Sequence, residues 1–122
     1  MRIVLRKGMK NLYGPALRRA REQSRLRMTQ TDLAETLTSM GLVTDRSAVS
    51  RIENQERGLS DIELHFFVEA LRINLHKLQR LLFLQPELVP SYEDIRLDDA
   101  EEQDLQIRVA EDKYDPDDFI DR

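Results

Sequence analysis

The strongest constraint in this chain of 122 residues is a series of helix start and stop signals set closely along its first two thirds. Pro15 suits the first position of a helix, where its missing N–H would have had no partner. Thr29 with Asp32 three residues on, and Ser60 with Glu63, read as capping boxes, and Asn74 reads as a further N-cap. Another start falls at Thr44 or Asp45, and Pro86 ends the series. Between these marks apolar residues recur at helical spacing. They are Leu17 and Ala20 with Ser24 beside them, then Leu33, Ala34 and Leu37, then Ala48, Val49 and Ile52. Ile62, Phe66, Ala70 and Ile73 follow, then Leu75, Leu78, Leu81 and Leu82. The expectation is an all-α fold with five short helices, the first from Ala16 to about Leu26. A connection from Thr38 to Asp45, containing Gly41, joins the second to the third. Helices this short are marginal alone and must bury their stripes against one another. The reading gives a basic arm over 1–13, a helical domain over 14–85 and an acidic, partly disordered tail over 86–122.

Charge follows the same division. The whole chain carries 19 Lys+Arg against 23 Asp+Glu, a net −4 that by itself argues against a nucleic-acid partner. Residues 1–85, however, hold 15 basic and 9 acidic side chains, while residues 86–122 hold 4 basic and 14 acidic. The helical part is therefore basic and the tail strongly acidic, a pattern expected of a binding face plus an interaction tail. Within the tail, 105–109 alternates apolar and polar residues as a short strand would, and a helix over 97–110 fits equally well. Near the amino terminus, Ile3-Val4-Leu5 reads as an edge strand or as part of the basic arm with Arg2, Arg6, Lys7 and Lys10.

Composition excludes several classes. Cysteine is absent, which removes disulfides, cysteine zinc sites and thiol nucleophiles. His65 and His76 sit at no recognised metal spacing and carry no assigned role. No Gly-rich phosphate loop, nucleophile–base pair or His–carboxylate cluster emerges, so no enzyme, metal or cofactor is expected. The run from Asp98 to Glu102 lacks the glycine and spacing of a calcium loop. No apolar run approaches a signal segment or a membrane span, so a soluble, cytoplasmic protein is expected.

The third helix carries the chemistry. At about 100° per residue, with Arg46 at zero, Ala48, Val49 and Ile52 fall at about 200°, 300° and 240°. Arg46, Ser47, Ser50 and Arg51 fall at about 0°, 100°, 40° and 140°, on the opposite side. That outer face holds donors and small hydroxyls and no carboxylate. Such a helix fits the major groove, where Arg pairs bidentately with guanine and Ser bonds several base edges, each good pair giving roughly 1–3 kcal/mol of discrimination. An ordinary solvated helix face is the competing account. Arg18, Arg19, Arg25, Arg27 and Arg57, near helix ends or loops, are candidates for phosphate contacts that position a protein without reading sequence.

An ordered set of short segments adds to this. Leu17-Arg18-Arg19-Ala20-Arg21-Glu22, Thr29-Gln30-Thr31-Asp32-Leu33-Ala34 and Ser47-Ala48-Val49-Ser50-Arg51-Ile52-Glu53-Asn54 come first. Ser60-Asp61-Ile62-Glu63-Leu64 and Ala70-Leu71-Arg72-Ile73 follow. Taken in order, the segment from Gly14 to Leu78 resembles the lambda-repressor/Cro-like helix-turn-helix family, also called the XRE family. The resemblance implies a five-helix DNA-binding domain acting as a transcriptional regulator, a repressor in the first instance, on double-stranded DNA. It implies Arg46, Ser47, Ser50 and Arg51 against bases or adjacent backbone, and Gln30 bonding a phosphate. It also implies an internal ion pair between Arg21 and Glu53. The chain departs from the family pattern in a longer connection between the second and third helices and in a longer Arg25–Met28 connection. A third departure is Gln55 where a glycine is usual; a left-handed residue there is costly for Gln, so Gly58 is expected to take the bend.

Leu81-Leu82-Phe83-Leu84 covers every side of the fifth helix, more than one small core can bury. The excess points to a partner surface, either a homodimer contact, as the resemblance implies, or the tail folding back. A second class of function is an antitoxin-like module whose acidic tail engages another protein. The tail can also act as an internal mimic of DNA charge, competing for the basic face.

Overall fold

A computed structural model describes residues 8–111 of the chain. The edge strand or arm at Ile3–Leu5, the basic residues Arg2, Arg6 and Lys7, and positions 112–122 of the tail lie outside the described residues. Within them the chain is all-helical: α1 (Gly14–Gln23), α2 (Gln30–Met40), α3 (Arg46–Glu53), α4 (Asp61–Ala70), α5 (Leu75–Leu84), α6 (Tyr92–Ile95) and α7 (Asp99–Glu111).

Local chemistry explains most of the boundaries. The Asp32 N–H donates to Thr29 Oγ1 and the Thr29 N–H donates back to Asp32 Oδ2, each at 3.0 Å, closing a full capping box on α2. Ser60 and Glu63 make the same reciprocal pair at α4, at 3.1 and 3.0 Å. The Ala48 N–H donates to Asp45 at 2.8 Å, which fixes Asp45 rather than Thr44 as the cap of α3. Asn74 accepts from the Lys77 N–H at 3.0 Å on α5. Gly41, at φ +115°, ends α2 in the left-handed region that only glycine enters without cost. Three residues of the expected connection, Thr38 to Met40, are therefore helical, and the loop between α2 and α3 is shorter than the sequence indicated.

The core joins one face of each of the first six helices. Leu17 and Ala20, Leu33 and Leu37, Val49 and Ile52, Phe67, Leu78 and Ile95 are each 1% exposed or less. In this bundle α3 packs on α1 and α2, and α2 also packs on α4.

Several expectations are corrected. Helix α1 stops at Gln23, short of Leu26, because the chain turns extended at Ser24 and reaches a left-handed Arg27 at φ +44°. On α4 the inward residues are Phe67, Val68 and Ala70, while Ile62 is 63% exposed and Phe66 half-buried. Ile73 lies beyond the helix, in an isolated antiparallel bridge to Arg96. The tail does not begin at residue 86. Pro90 is buried, and Ile95 of α6 is part of the core. The Tyr92 hydroxyl donates to the Leu71 carbonyl at 3.0 Å, the Tyr92 N–H to Gln23 Oε1 at 2.8 Å, and the Leu97 N–H to the Arg72 carbonyl at 2.9 Å. Seven helices therefore stand among the described residues in place of the expected five. Of the two readings of 105–109, the helical one holds, as part of α7.

Candidate nucleic-acid interface

The placement of α3 begins at its carboxyl end, where the chain is locked from both sides. Gly14, at the start of α1, lies so close that a Cβ there would sit 2.3 Å from the Ile52 carbonyl oxygen and 2.8 Å from that of Glu53. Asn11 spans the junction. Its side-chain amide donates to the Ile52 carbonyl at 3.0 Å and to the Arg57 carbonyl at 2.8 Å, while its oxygen accepts the Gly14 N–H at 2.7 Å. Asn11 thus satisfies carbonyls that a helix end leaves open. Sequence reasoning passed over it, since its two carbonyl partners lie 41 and 46 residues away and only its bond to Gly14 is local.

Gln55 completes the junction and reverses an expectation. Its own backbone takes the left-handed conformation, at φ +62°, and Gly58 shows no positive φ. The strain, of order 1 kcal/mol for a residue with a Cβ, is offset by contacts a glycine could not make. The Gln55 side-chain amide donates to the Asn11 carbonyl at 3.0 Å and to Met9 Sδ at 2.7 Å. Independently of the side chain, the Lys10 N–H donates to the Gln55 backbone carbonyl at 3.0 Å.

Beneath this junction Arg21 and Glu53 meet as a bidentate pair, Nε to Oε2 at 2.7 Å and Nη2 to Oε1 at 3.0 Å. Arg21 is 9% exposed and Glu53 3%. The hydrogen bond that Arg21 donates to the Glu53 carboxylate, stronger than the opposing effect of burial, pushes the guanidinium further up from its ordinary value. Arg21 also donates to the Met28 carbonyl at 2.9 Å, which pins the connection between α1 and α2. Gln30 joins the cluster by donating from Nε2 to Glu53 Oε1 at 3.0 Å. The side chain assigned to a phosphate is thus oriented internally, with one amide hydrogen left for an outside acceptor.

The consequence for α3 is electrostatic. Its one carboxylate is turned inward and neutralised, so the outer face presents Arg46, Ser47, Ser50 and Arg51 alone. Arg46, Ser47 and Arg51 are exposed and Ser50 is half-buried, its hydroxyl 3.5 Å from the Asn54 amide. Among the described residues neither arginine has a carboxylate within 4.0 Å. Both guanidinium groups are available to an external acceptor.

The other basic candidates are placed less uniformly. Arg25 and Arg27 are exposed on the connection between α1 and α2. Arg18 pairs with Glu22 one turn along, at 3.0 Å, and Arg19 donates to the Val89 carbonyl at 2.6 Å. Arg57 is turned to Glu63 at 2.8 Å, where it supports the α4 capping box rather than pointing outward. At the far end of α5, Leu81 and Leu82 are half-buried against the core, while Phe83 and Leu84 are 55% and 53% exposed.

Among the described residues no three His, Asp or Glu side chains are grouped to hold a metal ion, and no helix is long and apolar enough to cross a membrane. Compared with known proteins, the chain matches no family model, and no curated protein or solved structure matches it.

Proposed function

We propose that this chain is a sequence-specific double-stranded DNA-binding regulator of the lambda-repressor-like helix-turn-helix type, reading the major groove with α3. The observation that carries this reading is the outer face of α3: two unpaired arginines and two serines, on a helix whose single glutamate is sequestered by Arg21 and Gln30. The 2.7 Å ion pair locks α1 to α3, and it also keeps off the outer face a carboxylate that would repel phosphates. Arg46 and Arg51 supply base-edge or backbone contacts, Ser47 and Ser50 accept or donate at intermediate positions, and Arg25 and Arg27 add phosphate contacts.

The regulator acts in the cytoplasm as a dimeric repressor. Phe83 and Leu84, with Leu88 at 59% exposed, form the apolar contact between copies. Selecting bound sequences from a random duplex pool tests the reading directly. A recovered consensus with twofold symmetry is expected, and recovery of none would overturn sequence-specific binding. In gel-shift titrations on the selected duplex, R46A combined with R51A is expected to lower discrimination against random duplex by roughly tenfold or more. Unchanged discrimination would remove α3 from the interface.

A further inference from the structure

A concavity lies away from α3, between the body of the bundle and α7, with a volume of roughly 590 Å³. That size lies in the range of small-molecule sites. Its floor is apolar: the fully buried Leu71, the half-buried Met28 and Leu97, and Tyr92, whose hydroxyl is already bonded to the Leu71 carbonyl. Its two walls differ in sign. The body side presents Arg25, from the connection after α1, and Arg72, from the end of α4. The α7 side presents Asp99 and Glu102. These opposed groups do not meet, since no pair among them lies within 4.0 Å. The third arginine on the lining, Arg96, is engaged elsewhere, at 3.2 Å from Glu93 and 3.1 Å from the Leu97 carbonyl.

The backbone on the body side of the cleft is unusual. Arg72 has φ +58° and Arg27, between the lining residues Leu26 and Met28, has φ +44°, two of the three non-glycine residues with positive φ among the described residues. Such strain persists only where surrounding contacts over-determine it. Here the Arg72 carbonyl is fixed by the Leu97 N–H at 2.9 Å, and α7 is anchored at one end, where Glu101 meets Asn74 and lies 3.6 Å from Lys77. One concavity is thus lined by two cations and two carboxylates that form no ion pair, beside apolar residues.

We propose that this cleft binds a small zwitterion with an apolar body, of the free apolar α-amino acid class, its carboxylate on Arg25 and Arg72 and its ammonium on Asp99 and Glu102. A ligand with one charge would satisfy one wall and be repelled by the other. A zwitterion completes both, and its apolar side chain covers Leu71, Met28 and Leu97. The site also touches the lock on α3, because Met28 is the residue whose carbonyl holds Arg21. Any effect of occupancy on DNA affinity rests on the DNA-binding reading above; binding itself does not.

The test is an amide-resolved NMR titration of the full chain with L-phenylalanine up to about 10 mM, a concentration that reports millimolar affinity. Saturable shifts are expected at Arg25, Leu71, Arg72, Leu97 and Gln103. N-acetyl-L-phenylalanine, which lacks the cation, and phenethylamine, which lacks the anion, are each expected to bind about tenfold more weakly, the loss of one charge-assisted contact. R72Q is expected to weaken L-phenylalanine similarly and to strengthen phenethylamine, which loses a repelling cation, with R72K restoring part of the L-phenylalanine loss. The dispersed amide spectrum of each variant shows that it is folded. Absence of saturation, equal binding of either single-charge analogue, or shifts centred on Phe83 and Leu84 would overturn the proposal.

Discussion

A methyl group on Gly14 would be driven into the Ile52 carbonyl, and the obstacle is backbone rather than a side-chain tip that could swing away. G14A is therefore expected to destabilise the fold by about 2 kcal/mol or more, as overpacking does when neighbours cannot yield, measured by urea unfolding. The Arg21–Glu53 pair makes a second test of the same junction. E53Q keeps the shape but leaves a buried guanidinium without its anion, and the expected loss is about 3 kcal/mol. R21M combined with E53L should lose less than that, because no charge is stranded. An equal or larger loss in the double variant would show that the pair stabilises beyond its own burial cost. Gln55 belongs with these residues: Q55G relieves its left-handed strain but removes its contacts with Asn11 and Met9.

The helices themselves depend on their first turns. At α4, burial alone would push the Glu63 carboxyl up, but the Ser60 N–H and the Arg57 guanidinium outweigh it and hold the group below its ordinary 4.5. A depressed folded value means that the contribution of Glu63 is complete above about pH 4.5 and is lost as pH falls through the lower folded value. The stability gap between the native chain and E63Q should accordingly be flat at neutral pH and close under acid. A gap that widened on acidification would contradict the sign. T29A is expected to cost about 1 kcal/mol through the α2 cap. These caps were legible in the sequence because a cap is local: Thr29 and Asp32, or Ser60 and Glu63, act across three residues. The inward face of α4 was not legible, because Ile62, Leu64, Phe66, Phe67 and Val68 crowd both possible faces and periodicity cannot choose. Tertiary packing chose Phe67. The outer face of α3 could be read from angles alone, whereas the bridging role of Asn11 could not, since its bonds to the Ile52 and Arg57 carbonyls span 41 and 46 residues.

At the scale of the molecule, the helical unit closes only with residues that composition assigned to a tail. The acidic balance of 86–122 is real, yet Pro90, Tyr92 and Ile95 are built into the bundle by burial and by bonds to α1 and to the end of α4. Net charge reports the surface of a segment and is silent about the few apolar residues within it that decide whether it packs. I95A is expected to cost about 2–5 kcal/mol, and a chain ending at residue 85 should melt well below one ending at residue 97, followed by circular dichroism. Similar melting of the two truncations would mean that the α6 segment only decorates the bundle. During synthesis, the groove that Ile95 fills is made by residues that emerge earlier, the last of them on α5. Leu78, the buried residue of α5, appears 17 residues before Ile95, which at roughly 5–20 residues per second is an interval of roughly one to three seconds. For that interval the nascent chain carries an open apolar seam, so its exposure to chaperones and to aggregation is set by how fast the final part of the core is translated.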